Sequence, residues 1–128
     1  MAIRYTVEQA TNKEQLILSL AQTSEHVKAW SDGQRMLVDS DQLSFIYVLE
    51  TADDLIYIDL PQAVWPQVNE ALIQNQQAIL TIAGSDEELP LSALHNELLY
   101  LLENIKDNSN YGEQMQVACE ASFTIMNQ

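Results

Sequence analysis

The clearest periodicity in the chain lies between Gln34 and Leu60, where apolar and polar residues alternate in runs of strand length. Ser44–Glu50 and Leu55–Leu60 are rich in β-branched and aromatic residues and flank Thr51-Ala52-Asp53-Asp54, which predicts a hairpin. A register in which Leu49 opposes Ile56, Tyr47 opposes Ile58 and Phe45 opposes Leu60 makes one face wholly apolar, because side chains alternate along a strand. The other face then carries Ile46, Val48, Glu50, Leu55, Tyr57 and Asp59. The first face predicts core. The second, mixed face is either covered by a helix or meets a partner. Met36–Asp39 continues the β pattern upstream and turns through Ser40-Asp41-Gln42, so the stretch reads as three strands.

The remainder is less regular. Ile3–Glu8 alternates cleanly, Gln15–Ala21 places Leu16, Leu18 and Leu20 on one side, and the polar Thr11–Glu14 between them predicts an opening hairpin. Gln22–Asp32 has no clear period, and Gly33 after it is read as supplying a positive φ for a change of direction. Beyond Leu60 the period lengthens. Pro61 and Pro66 suit first-turn positions, predicting a helical turn near Pro61 and a helix over Pro66–Gln74, with Trp65, Val68, Leu72 and Ile73 at helical spacing. Ala78–Ala83 reads as a strand and Glu87–Leu91 as a short edge strand, since Pro90 cannot complete a ladder. Ser92 is the expected N-cap of a helix to Lys106 whose stripe is Leu94, Leu98, Leu101, Leu102 and Ile105, with Leu91 stapling its entry. Asn110 and Glu113 stand at capping-box spacing before a last helix with Met115, Ala118, Cys119, Ser122, Phe123 and Met126 inward.

These elements predict an α+β fold over one domain, residues 1–128. Its expected form is an antiparallel, largely meandering sheet of five to seven strands, with one helix after the central hairpin and two C-terminal helices packed on it.

At 128 residues the chain can bury an ordinary core unaided by disulfides or metals. Cys119 is the single cysteine, which excludes a disulfide framework and a cysteine-based zinc site. No apolar run approaches the roughly 18 residues of a membrane span, and the N-terminal residues lack the apolar core of a signal peptide. The expectation is a cytoplasmic protein. Charge alters that picture most. The formal net charge is −14, and from Met36 onward Lys106 stands alone against fifteen acids. Such a field repels phosphate backbones and anionic lipid, so neither nucleic acid nor membrane is an expected partner.

Candidate chemistry is sparse. Asp39-Ser40-Asp41 places two carboxylates close enough to share a hard cation. It lacks the further oxygen donors and glycine of a calcium loop, Leu43 standing where a ligand would be needed, and aspartate and serine are also ordinary turn residues. His26 and His95 have no recognisable nucleophile beside them, and three glycines leave no phosphate-cradling loop. Cys119 falls on a predicted buried stripe, where cysteine acts as an inert small hydrophobe. Trp30 and Trp65 are read as core. No catalytic residue and no cofactor are expected.

The segments Gly33–Asp41 (GQRMLVDSD), Phe45–Glu50 (FIYVLE), the pair Val64-Trp65 and His95–Gly112 (HNELLYLLENIKDNSNYG) resemble, in the same order, the YjbL-like family of short, acidic, uncharacterised proteins of Bacillus, Listeria and Staphylococcus relatives. Asp107 departs from the family pattern, which often has glycine there, so Asn108 is the expected left-handed residue ending the helix. The resemblance implies a bacterial cytoplasmic setting and a self-contained domain, with no activity, substrate or cofactor. The leading expectation is a non-enzymatic accessory protein working through protein contacts, with another protein or as a homodimer, through the face bearing Ile46, Val48, Tyr57 and Asp59. The alternative is a small-ligand or divalent-cation binder or enzyme using Asp39, Asp41 and neighbouring acids.

Overall fold

The central hairpin forms in the register its alternation dictates: Phe45 opposes Leu60, Tyr47 opposes Ile58 and Leu49 opposes Ile56. All six are buried to within 1% of complete exclusion from solvent. The computed structural model describes residues 2–21, 29–106 and 108–127. Within these, the strands are β1 (Ala2–Thr6), β2 (Gln9–Asn12), β3 (Leu16–Leu20), β4 (Ser31–Asp39), β5 (Ser44–Glu50), β6 (Leu55–Pro61), β7 (Ala78–Ile82) and β8 (Glu88–Pro90). The helices are α1 (Trp65–Gln74), α2 (Leu94–Ile105) and α3 (Glu113–Ser122). The fold is α+β.

The single meandering sheet is not what forms. The strands make two four-stranded sheets, ordered β1-β6-β5-β4 and β2-β3-β7-β8. Two pairings are parallel, β1 with β6 and β3 with β7. The run expected as one strand over Ile3–Glu8 divides: Val7 donates its amide to Asp59 in the first sheet and Glu8 donates to Ser19 in the second. The chain thus crosses between sheets at Val7–Glu8, and the opening hairpin is β2 with β3 rather than β1 with β3. Alternation declares which face of a strand is buried but not which strand lies beside it, which is why the parallel partners escape a local reading.

The inner faces of both sheets and the buried sides of the helices share one hydrophobic cluster. At its centre Phe45, Trp65 and Phe123 pack with ring centroids 5.3, 5.4 and 6.0 Å apart. The Trp65 indole donates to the Leu60 carbonyl at 2.9 Å, so its one polar atom is satisfied in the core. Trp30 is also buried, against Tyr5.

Several local expectations are corrected. Gly33 does not adopt positive φ; Gln34 beside it does, at 56°. Glycine is needed at 33 for a different reason. A β-bulge separates Asp32 from Arg35, and a Cβ at Gly33 would lie 2.4 Å from the Val48 carbonyl oxygen. Ser92 is not the N-cap of α2, a position held by Ala93, because its side chain is engaged elsewhere. The Asn110–Glu113 capping box does not form: Gly112, at φ 89°, precedes α3, and Asn110 lies in a 3-10 turn over Ser109–Tyr111. Ile73 is exposed and Leu101 and Ser122 only half-buried. Asn108 does not take positive φ. Asp107, together with residues 22–28 of the unpatterned stretch (including His26 and Val27), lies outside the described residues.

Candidate functional site

Arg4 organises the outer face of the first sheet. It sits on edge strand β1, and its guanidinium donates to Asp59 on β6 at 3.0 Å, to Ser44 on β5 at 3.2 Å and to Asp39 on β4 at 2.9 Å. One side chain therefore bonds a residue on each of the other three strands. Thr6 donates to the second Asp59 oxygen at 3.4 Å. Asp39 also accepts the Gln42 amide at 3.1 Å, closing the turn into β5. Burial works to raise the Asp39 pKa, but the bond and charge of Arg4 outweigh it and hold the carboxyl below its ordinary value. Asp39 is thus occupied as a turn-closing and strand-joining group.

The remaining sequence-derived residues are dispersed. Asp41 is exposed in the turn and meets Asp39 through its backbone amide. Ile46, Val48 and Asp59 on the mixed face are buried, at 5%, 0% and 8% exposure, and Tyr57 is half-buried. The free apolar area on that face comes from Leu37, paired with Ile46 and 40% exposed, and from part of Tyr57. Among the described residues, no three His, Cys, Asp or Glu side chains are grouped closely enough to hold a metal ion.

A second polar cluster was not visible in the sequence. Asp32, at the bulge of β4, accepts the Tyr47 hydroxyl at 2.5 Å and the Gln34 amide at 2.9 Å on one oxygen. The other oxygen accepts the Ser92 hydroxyl at 2.6 Å and the Ser92 amide at 3.0 Å. Tyr47 in turn accepts the Ala93 amide at 3.1 Å. The start of α2 is therefore satisfied from β4 and β5 rather than by its own cap. Burial tends to raise the Asp32 pKa, but the Ser92 and Tyr47 bonds prevail and lower it. Burial and Asp32 both push the Tyr47 hydroxyl well above the ordinary tyrosine value. A neutral phenol bonded to a carboxylate is a fastener, and the bonds to Ser92 and Ala93 hold α2 to the sheet while the Gln34 bond closes the bulge.

Apart from Leu37 on β4, at 40%, the exposed large apolar side chains among the described residues lie on the helical side. Ile73 on α1 is 56% exposed, Tyr100 on α2 64%, Val117 on α3 57% and Ile125, in the C-terminal 3-10 turn Thr124–Asn127, 41%. Leu72, Ile73, His95, Leu99 and Ile125 line a groove of about 380 Å³ between α1, α2 and that turn. Asn69 and Thr124 close one side of it with reciprocal bonds, Asn69 Nδ2 to Thr124 Oγ1 at 3.2 Å and the Thr124 amide to Asn69 Oδ1 at 3.0 Å. His95 lies here, half-buried, at the first turn of α2. Cys119 is buried inside α3 as expected from its stripe.

A family model described as "Family of unknown function (UPF0738)" matches residues 5–123. The chain belongs to the UPF0738 family. A UPF0738 protein of Bacillus cereus is 37% identical over 124 residues, covering 96% of this chain and 99% of that one. The UPF0738 protein YjbL of Bacillus subtilis (strain 168) is 39% identical over 123 residues, with the same coverage. A UPF0738 protein of Bacillus velezensis is 52% identical over 83 residues, 65% of this chain and 66% of its own. No solved structure matches. The YjbL-like resemblance is thereby established across nearly the whole chain. No helix among the described residues is long and apolar enough to cross a membrane.

Proposed function

We propose that this UPF0738 protein is a non-enzymatic accessory protein of the bacterial cytoplasm, acting as a self-contained domain through contact with another protein. The observation that carries this reading is the exposure of Ile73, Tyr100, Val117 and Ile125 on the helical side. The conspicuous polar groups, by contrast, are consumed in internal fastening: Arg4 and Asp39 join strands, and Asp32 and Tyr47 anchor α2. Large aromatic and aliphatic side chains left in water on a strongly acidic surface are suited to recognition. The reading moves the expected contact surface from the mixed sheet face to the helices, since Ile46 and Val48 are out of solvent.

Site-specific photo-crosslinking in the native bacterium tests this. A photoreactive residue replacing Tyr100 or Val117 is expected to give a discrete adduct with another protein, and one replacing Asp41 is expected to give none. Smears equal to that of the Asp41 control from both helical positions, with a monomeric protein in light scattering, overturn it.

A further inference from the structure

The groove between α1, α2 and the C-terminal turn has features that select its occupant. It is preformed, because the reciprocal Asn69–Thr124 bonds fix the turn to α1. Its walls are aliphatic: Leu72 and Leu99 are half-buried, while Ile73 and Ile125 rise above them into solvent. At its edge Glu103 lies one helical turn beyond Leu99, exposed on the same side of α2. Neither lysine nor arginine is among the residues lining it.

Resting on the contact reading above, we infer that this groove seats a basic amphipathic helix of a partner protein, with aliphatic anchors between Ile73 and Ile125 and lysines or arginines toward Glu103 and the acidic surface around it. Charge decides among the possible occupants. A second copy would bring another net charge of −14 against this one, and an anionic membrane or a nucleic acid meets the same repulsion. A cationic helix is attracted on approach and buries the aliphatic side chains on arrival. A short trough flanked by two helices suits residues at i, i+3 and i+4 spacing, the pattern of helix-in-groove recognition.

The probe is a fluorescein-labelled 14-residue peptide with leucines at helical spacing and lysines elsewhere, titrated by anisotropy against the full chain. Ile73→Asp makes the protein more negative, so diffuse attraction predicts tighter binding, whereas seating in the groove predicts binding weaker by about tenfold or more. Ile125→Ser, which leaves the charge unchanged, is expected to weaken binding too. Leu37→Asp, on the distant sheet face and also exposed, is expected to leave it equal or slightly tighter. Thermal melts confirm that the variants fold; the exposure of both isoleucines makes this the expected result. Equal or tighter binding by Ile73→Asp overturns the inference, as does a dimer in light scattering that Ile73→Asp dissociates. If the cross-links at Tyr100 or Val117 form while the peptide ignores Ile73→Asp, the groove assignment falls and the contact reading stands. If neither occurs, both fall.

Discussion

Asp32 is the point at which α2 is tied to the first sheet, and replacing it isolates that tie. The carboxylate accepts four hydrogen bonds, from Tyr47, Gln34 and twice from Ser92. Their costs of loss differ. Gln34 and Ser92 lie toward solvent, where water replaces most of what is removed. Tyr47 is 0% exposed, so its hydroxyl proton is stranded in the interior. Stranding a buried donor costs about 1–3 kcal/mol, and losing the anchor of a helix start adds about 1 kcal/mol. Asp32→Ala is therefore expected to destabilise by about 3 kcal/mol, or roughly 10 °C in Tm for a chain of this size. Asp32→Asn, which keeps an acceptor but not the charge, is expected to cost about half as much. Urea unfolding followed by fluorescence of the buried Trp30 and Trp65 measures both. The depressed Asp32 pKa fixes the sign with pH. A carboxyl whose folded pKa lies below its unfolded value stabilises above the unfolded value, about 3.9, and loses that contribution as pH falls through the folded one. The gap between wild type and Asp32→Asn should hold from neutral pH to about 4 and shrink below it. Combined with Tyr47→Phe in a double-mutant cycle, the pair should show a coupling of about 1–2 kcal/mol. Additivity in that cycle, or a gap equally wide at pH 3 and pH 7, would refute the assignment.

Three further outcomes follow from named contacts. Gly33→Ala forces a methyl group to 2.4 Å from the Val48 carbonyl oxygen, so the β4 bulge must open; a loss exceeding about 2 kcal/mol in urea unfolding is expected, and near-neutrality would exclude the close approach as the reason for glycine. Trp65→Ala removes the centre of the aromatic cluster and the indole bond to the Leu60 carbonyl, an expected cost of about 3–5 kcal/mol, while Trp65→Phe retains most of the packing and should cost clearly less. Burial, with a smaller contribution from the Glu120 charge, pushes the Cys119 thiol up to about 12, so Ellman's reagent at pH 8 should label it only in denaturant; prompt labelling of the native protein would contradict its place inside α3.

What the sequence could reveal divides by distance along the chain. The β5–β6 register was legible to the residue because a short turn joins strands whose pleats must match. The position of α1, the edge strand ending at Pro90 and the inward stripe of α3 were legible for the same local reason. The parallel pairings were not: Ile3 faces Ile56 and Leu16 faces Ala78 across long separations, and nothing in an alternating run names its distant neighbour. The polar clusters inherit that blindness. Arg4, Asp39 and Asp59 are ordinary as residues and become a unit only once β1 lies beside β6. Asp32 and Ser92 have the local character of a strand-end residue and a helix cap, and they are partners. Ile73 falls at helical spacing with the core residues of α1, but it sits at the margin of the stripe, where the moment of a helix does not separate wall from floor.

The reach of Arg4 across the sheet also guards against misassembly. β1 is synthesised first but docks beside β6, more than fifty residues later, and backbone hydrogen bonding alone would accept a one-residue slip as readily as the native match. Such a slip would turn every side chain of β1 over, driving the guanidinium against Ile56 and Ile58 with no carboxylate near it. A buried, unpaired charge of that kind costs several kcal/mol, whereas the correct setting returns Arg4 to Asp59, Ser44 and Asp39 together. The residue works as a proofreader: it tolerates one alignment of the N-terminal strand and rejects its nearest competitor.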